Sequence, residues 1–160
     1  MAAHNDPTVR EFRPEGGVVV GDDGSKGAAG AILFARDEAE RRGTALHVVR
    51  AWTITSAVRP EGLPINVTAT LLELEQATLE AQSRRVAELL GDAPGVEVSV
   101  HAVHSPSAQA LIAASETADV VVVGARGKGG FAGLVLGSVA EQVVAHAHSP
   151  VIVTRSRAAD

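Results

Sequence analysis

The sequence has no cysteine and no tyrosine, and only one tryptophan, one methionine and three phenylalanines. Without thiols it can form no disulfide, no zinc–thiolate centre and no cysteine nucleophile. With so few aromatics, its core has to be built from Val, Leu, Ile and Ala. No apolar run approaches the length of a membrane span. The opening Met1-Ala2-Ala3-His4-Asn5-Asp6-Pro7 lacks the basic and apolar regions of a secretory signal, so the cytoplasm is the expected compartment. Basic clusters are missing too, and a net charge of −5 argues against nucleic acid as a partner. What is present is a chain of 160 residues, 46% hydrophobic and 21% charged, an ordinary balance for a globular protein with one substantial core.

The most informative stretch runs from residue 119 to 142. Asp119 leads into four consecutive valines, Val120 to Val123, the β-branched run of a strand buried on both faces. A glycine-dense loop follows and closes at Gly137-Ser138, where Val139, Gln142, Val143 and Val144 take up helical spacing. Ser138 and Glu141 stand at capping-box spacing, which predicts Ser138 as the helix cap. A strand, a glycine loop and a helix N-terminus make an anion site, because loop amides have no ladder partners and the helix dipole adds about half a positive charge. A nucleotide phosphate is the obvious anion. On loop composition alone, a plain turn between strand and helix accounts for the stretch equally well.

Elsewhere, residues 1–15 read as a loose polar tail and residues 16–156 as one domain. Val18 to Val20 form a short buried strand ending at Asp22-Asp23-Gly24-Ser25. A helix follows from Ser25 or Lys26 to Arg42, with Gly43 as its stop. Residues 44–52 read as a second strand, and residues 53–67 as a proline-containing connection whose length suits a mobile or functional loop. Thr70 and Glu73 predict a capping box for a helix whose apolar face carries Leu71, Leu74, Ala77, Ala81, Leu89 and Leu90. Val96, Val98 and Val100 alternate with polar residues, as in a strand near a sheet edge. Ser105-Pro106 suits an N-cap and N1 proline for a helix to Thr117, and residues 150–155 supply the last strand. Strands alternating with helices predict an α/β parallel sheet with right-handed crossovers. Ligands of such sheets bind beyond the carboxyl ends of the strands.

The glycine spacing is more specific than the glycine count. Gly124, two residues, Gly127, nine residues and Gly137-Ser138 resemble the Gly-x2-Gly-x9-Gly-[Ser/Thr] pattern of the ATP-binding universal stress proteins. The resemblance runs from Val18 to Arg155 and includes Asp23-Gly24-Ser25, Leu46-His47-Val48 and Ser149-Pro150-Val151. Neither a Rossmann Gly-x-Gly-x-x-Gly nor a Walker A loop is present. The resemblance implies a doubly wound, Rossmann-like sheet of five strands in the order 3-2-1-4-5, and ATP as ligand. Mg2+ or Mn2+ would be held through the phosphates. By the same resemblance Gly124, Gly127, Gly137 and Ser138 hold the phosphates and Asp23 lies against the nucleoside. Val48 recognises adenine through its backbone, and Val123 and Val139 are apolar neighbours. A homodimer through the last strand, Val151 to Thr154, is implied as well. Two positions depart from the family pattern: His104 replaces a common glycine, and Gly21 stands where a larger residue is often found.

Several residues admit a second reading. Asp22 and Asp23 also suit a cap for the first helix, and Arg126 and Lys128 are either phosphate-screening or merely solvated. His47 reads as a core histidine. No histidine pair has the i, i+4 spacing of a metal site, and no Gly-x-Ser-x-Gly elbow supports a hydrolase triad. The expected function is therefore a nucleotide-dependent stress-response module without catalytic residues. The rival is a slow ATPase or nucleotidyl-transferring enzyme on the same fold.

Overall fold

The computed structural model describes residues 10–92, 95–127 and 135–156. Five strands, β1 (Val18–Gly21), β2 (Leu46–Trp52), β3 (Val98–His104), β4 (Val120–Gly124) and β5 (Val151–Thr154), alternate with four helices. The helices are α1 (Lys26–Arg42), α2 (Leu71–Leu90), α3 (Ser107–Ser115) and α4 (Ser138–His146). The strands form one sheet in the order β3-β2-β1-β4-β5, every pairing parallel, which is the expected doubly wound, Rossmann-like architecture. Val96 falls outside β3, but β3 does lie at the edge its alternation predicts.

The valine runs form the centre of the sheet because it is covered on both faces. Val18, Val20, Val120 and Val122 feed a core shared with Ala31, Ile32, Ala35 and Ala39 of α1 and Val86 of α2. Val19 and Val121, one residue out of phase, point to the opposite core with Leu111 and Ala114 of α3 and Val143 of α4. Alanines on α1 let that helix sit close on a sheet with almost no aromatic filler. Ser25 caps α1 by accepting from the Ala28 amide, and Gly43 ends it in the left-handed region at φ 63°.

Three local expectations are corrected. Ser138 is the first helical residue of α4 rather than its cap; Gly137 is the cap, and among the described residues no side chain caps that helix end. At α3 the cap is Pro106 rather than Ser105, whose hydroxyl bonds to the Pro106 carbonyl instead. Within the stretch read as a loose tail, residues 10–15 are fastened to the domain. Phe12 stacks on His101 at 3.8 Å, the Arg10 amide donates to the His104 carbonyl at 3.2 Å, and Arg13 pairs with Glu116 at 2.9 Å. A phenylalanine and two arginines gave these residues something to bury and pair; polarity and proline content had concealed it. Residues 1–9 of that tail lie outside the described residues.

Candidate functional site

Chain order reverses between β1 and β4: the chain leaves β1 toward β2 on one side, and β4 returns on the other. A crevice opens at such a switch point beyond the carboxyl ends of the strands. Here it is a cavity of about 460 Å³. Val123, Gly124, Arg126 and Gly127 line it from β4 and its loop, and Gly137, Ser138 and Val139 from the start of α4. Asp22 and Asp23 line it from the β1–α1 turn, and Val49, Ala51 and Leu111 close the side toward β2 and α3.

The α4 end is built to receive an anion. Among the described residues, the amides of Ser138, Val139 and Ala140 have no acceptor, as expected for the first turn of a helix. The Ser138 hydroxyl also meets no partner there. Gly137 differs from the expectation: its amide already donates to the Ala125 carbonyl at 2.6 Å, so its part is to shape the loop. Gly124 and Gly137 leave ordinary contact distances around a would-be Cβ, with nearest atoms at 3.5 and 3.4 Å. At Gly127 a Cβ would stand 2.5 Å from Asp23 Oδ2. That carboxylate therefore extends over the glycine, while Asp23 Oδ1 accepts from the Ser25 amide at 2.9 Å.

Asp22 has a different task from its neighbour. Its side chain is fully buried and accepts from Gln82 Nε2 at 2.6 Å, Arg85 Nε at 2.7 Å and the Gly24 amide at 2.8 Å. Arg85 Nη2 also donates to the Ser25 carbonyl at 2.9 Å, and the Asp22 carboxylate raises the affinity of that guanidinium for its proton. The turn below the cavity is thus tied to α2.

Of the predicted site residues, the fold gathers Asp23, Val123, Gly124, Gly127, Gly137, Ser138 and Val139 around one cavity. Val48 is not among them. Its side chain is fully buried in the core beneath α1 and α2, and the next residue along β2, Val49, lines the cavity instead. Since the Leu46 amide bonds to Glu97 O, alternation turns the Val48 backbone toward β3. Arg126 lines the cavity, and Lys128 lies outside the described residues. Sequence reasoning missed Gln82, Arg85 and Leu111, which join the site from helices distant in the chain. The only signal was a polar run, Thr78, Gln82 and Arg85, crossing a helix expected to be apolar on that side.

A model of the universal stress protein family matches residues 17–155. The chain belongs to this family. A universal stress protein of Mycobacterium tuberculosis is 34% identical over 152 residues, covering 95% of this chain and 49% of its own length. A second from the same species is 38% identical over 152 residues, with 95% and 50% covered. The chain spans about half the length of these relatives. Among solved structures, a universal stress protein from Lactobacillus plantarum superposes with a TM-score of 0.68 at 20% identity, covering 91% of this chain and all of its own. A universal stress protein solved in complex with cAMP gives 0.66 at 22% identity over 89% and 98% of the two chains. One from Archaeoglobus fulgidus in complex with dAMP gives 0.55 at 24% over 86% and 97%. At these identities the superpositions speak for the fold of this universal stress protein.

Proposed function

We propose that this universal stress protein binds ATP in the cavity between β1, β4 and α4 and acts as a nucleotide-dependent stress-response module in the cytoplasm. One observation carries the reading: among the described residues the Ser138, Val139 and Ala140 amides and the Ser138 hydroxyl have no partner, and these residues line the cavity with Gly124 and Gly127. That is the donor set a phosphate chain needs. Asp23, a carboxylate, would repel phosphate but accepts hydrogen bonds from ribose hydroxyls, so the nucleoside lies toward β1 and Val49. Asp23 Oδ2 already occupies the space over Gly127, which suits the ribose side of the nucleotide rather than a phosphate. Two related structures hold cAMP and dAMP, which supports an adenine nucleotide as the class.

Mg2+ or Mn2+ would arrive on the phosphates, with Ser138 and Asp23 as the nearest oxygen donors. We read the site as binding rather than turnover. Asp22 is engaged by Arg85 and Gln82, and no histidine lines the cavity among the described residues. Residues 16–156 form the nucleotide-binding domain, and the open edge of β5, Val151 to Thr154, joins two copies into a homodimer. All four of its residues are only partly buried, and an uncovered edge strand invites pairing. Isothermal titration with ATP, ADP and AMP tests the ligand: affinity is expected to rise with phosphate number. No heat with any of them, or equal affinities for all three, overturns the reading.

A further inference from the structure

On the nucleotide reading, Asp22 presents a physical difficulty, since it places a buried carboxylate in the wall of a cavity meant for a polyanion. Its position has a local reason. The carboxylate accepts from the Gly24 amide and from Gln82, which fastens the β1–α1 turn to α2. The negative charge comes with that anchoring. In the described wall Asp22 and Asp23 face a single guanidinium, that of Arg126. Arg85 stands behind the wall, partly solvent-exposed, with Nε 2.7 Å and Nη2 3.2 Å from the Asp22 oxygens. Arg50 Nη1 lies 3.4 Å from the Asp22 carbonyl and adds a second cation on the same side.

We propose that Arg85 is an electrostatic positioning residue of the nucleotide site: it cancels the Asp22 charge so that the cavity accepts a triphosphate. This rests on the nucleotide reading and assigns the pair a role beyond holding the turn. A buried ion pair is in general a poor source of net stability, because desolvation offsets the attraction. Its effect on the local potential remains, and that effect scales with the charge of the ligand.

The test uses the full chain and three variants, Arg85→Met, Arg85→Lys and Asp22→Asn, with ATP and AMP affinities measured by titration at low salt and Tm by calorimetry. All three variants loosen the pair, so all three are expected to melt lower. The ATP:AMP affinity ratio separates them. It falls about tenfold in Arg85→Met, holds in Arg85→Lys, and rises severalfold in Asp22→Asn, and added salt shrinks these differences. A ratio that moves the same way in Arg85→Met and Asp22→Asn, or in neither, reduces the pair to a structural brace and overturns the inference. If Arg85→Met does not fold, the other two decide: a fallen or unchanged ratio in Asp22→Asn, or a tenfold fall in Arg85→Lys, overturns it. Wild-type protein that binds neither nucleotide overturns the nucleotide reading first, before any variant is compared, and the inference with it.

Discussion

Gly127 and Asp23 meet across the cavity floor, and their contact makes the three motif glycines unequal. None of the three has a positive φ, so backbone strain does not demand glycine at any of them. Space does so only at Gly127, where a Cβ would displace the Asp23 carboxylate. Gly127→Ala is therefore expected to fold normally, with Tm unchanged, and to lose about tenfold in ATP affinity, the worth of one misplaced hydrogen-bonding group. Gly137→Ala should lose far less, which titration of the two side by side will show. His101 supplies a second residue-scale prediction. Burial, with the nearby charge of His47 adding to it, pushes its pKa down to about 4. In the unfolded chain the value returns to about 6.5. The unfolded state then binds the proton more readily, so stability is level above about pH 6.5 and falls as pH drops toward 4. Urea melts at pH 7.5, 6 and 5 should show that decline, and His101→Gln should flatten it. His47, also lowered mainly by burial, shares in the slope.

At the scale of elements, α2 shows how a correct boundary and apolar side can still omit the polar residues buried beside them. Its capping box is present as expected: Glu73 N donates to Thr70 Oγ1 at 3.2 Å, and the Thr70 amide to Glu73 Oε2 at 2.7 Å. Thr70→Ala should cost about 1 kcal/mol, read as a Tm lower by roughly 2–4 °C. The most buried residues are Thr78, Gln82 and Val86, flanked by the partly buried Leu71, Leu74, Ala77, Ala81, Leu89 and Leu90 of the expected face. Thr78 accepts from the Val58 amide of the preceding loop and Gln82 donates to Asp22. Polar residues lie inward because they satisfy polar groups of other elements, which no periodicity within α2 can reveal. The start of α4 carries the complementary lesson. Ser138 and Glu141 have capping-box spacing, but the cap falls one residue earlier, at Gly137, and the helix begins at Ser138. Among the described residues the Ser138 hydroxyl and the amides of Ser138, Val139 and Ala140 are left without partners.

For the whole molecule, the sheet edges decide assembly. On the outer side of β3, the Arg10 amide bonds to the His104 carbonyl and Phe12 covers His101, so part of that edge is already dressed. On the opposite side, among the described residues, β5 pairs with β4 alone. Light scattering after chromatography at micromolar concentration is expected to give twice the monomer mass. A monomer would remove the proposed β5 interface and leave the proposed nucleotide site untouched. Among the described residues no helix is long and apolar enough to cross a membrane.

The fold was legible because its signals are local and repeated. Two valine runs mark strands covered on both faces, helical stretches stand between strands, and glycine, serine and threonine punctuate their ends. The glycine side of the cavity was legible for the same reason, since Gly124, Gly127, Gly137 and Ser138 lie within one strand–loop–helix unit. Only the tertiary structure decided that Val49 rather than Val48 faces the cavity, that Asp22 and Asp23 point to different tasks, and that Arg85 stands behind the wall. Each depends on which strand face and which distant helix meet, and a one-residue change of phase along a strand exchanges one face for the other. Spacing along a chain records the period of an element; what that element packs against is settled by contacts between residues far apart in sequence.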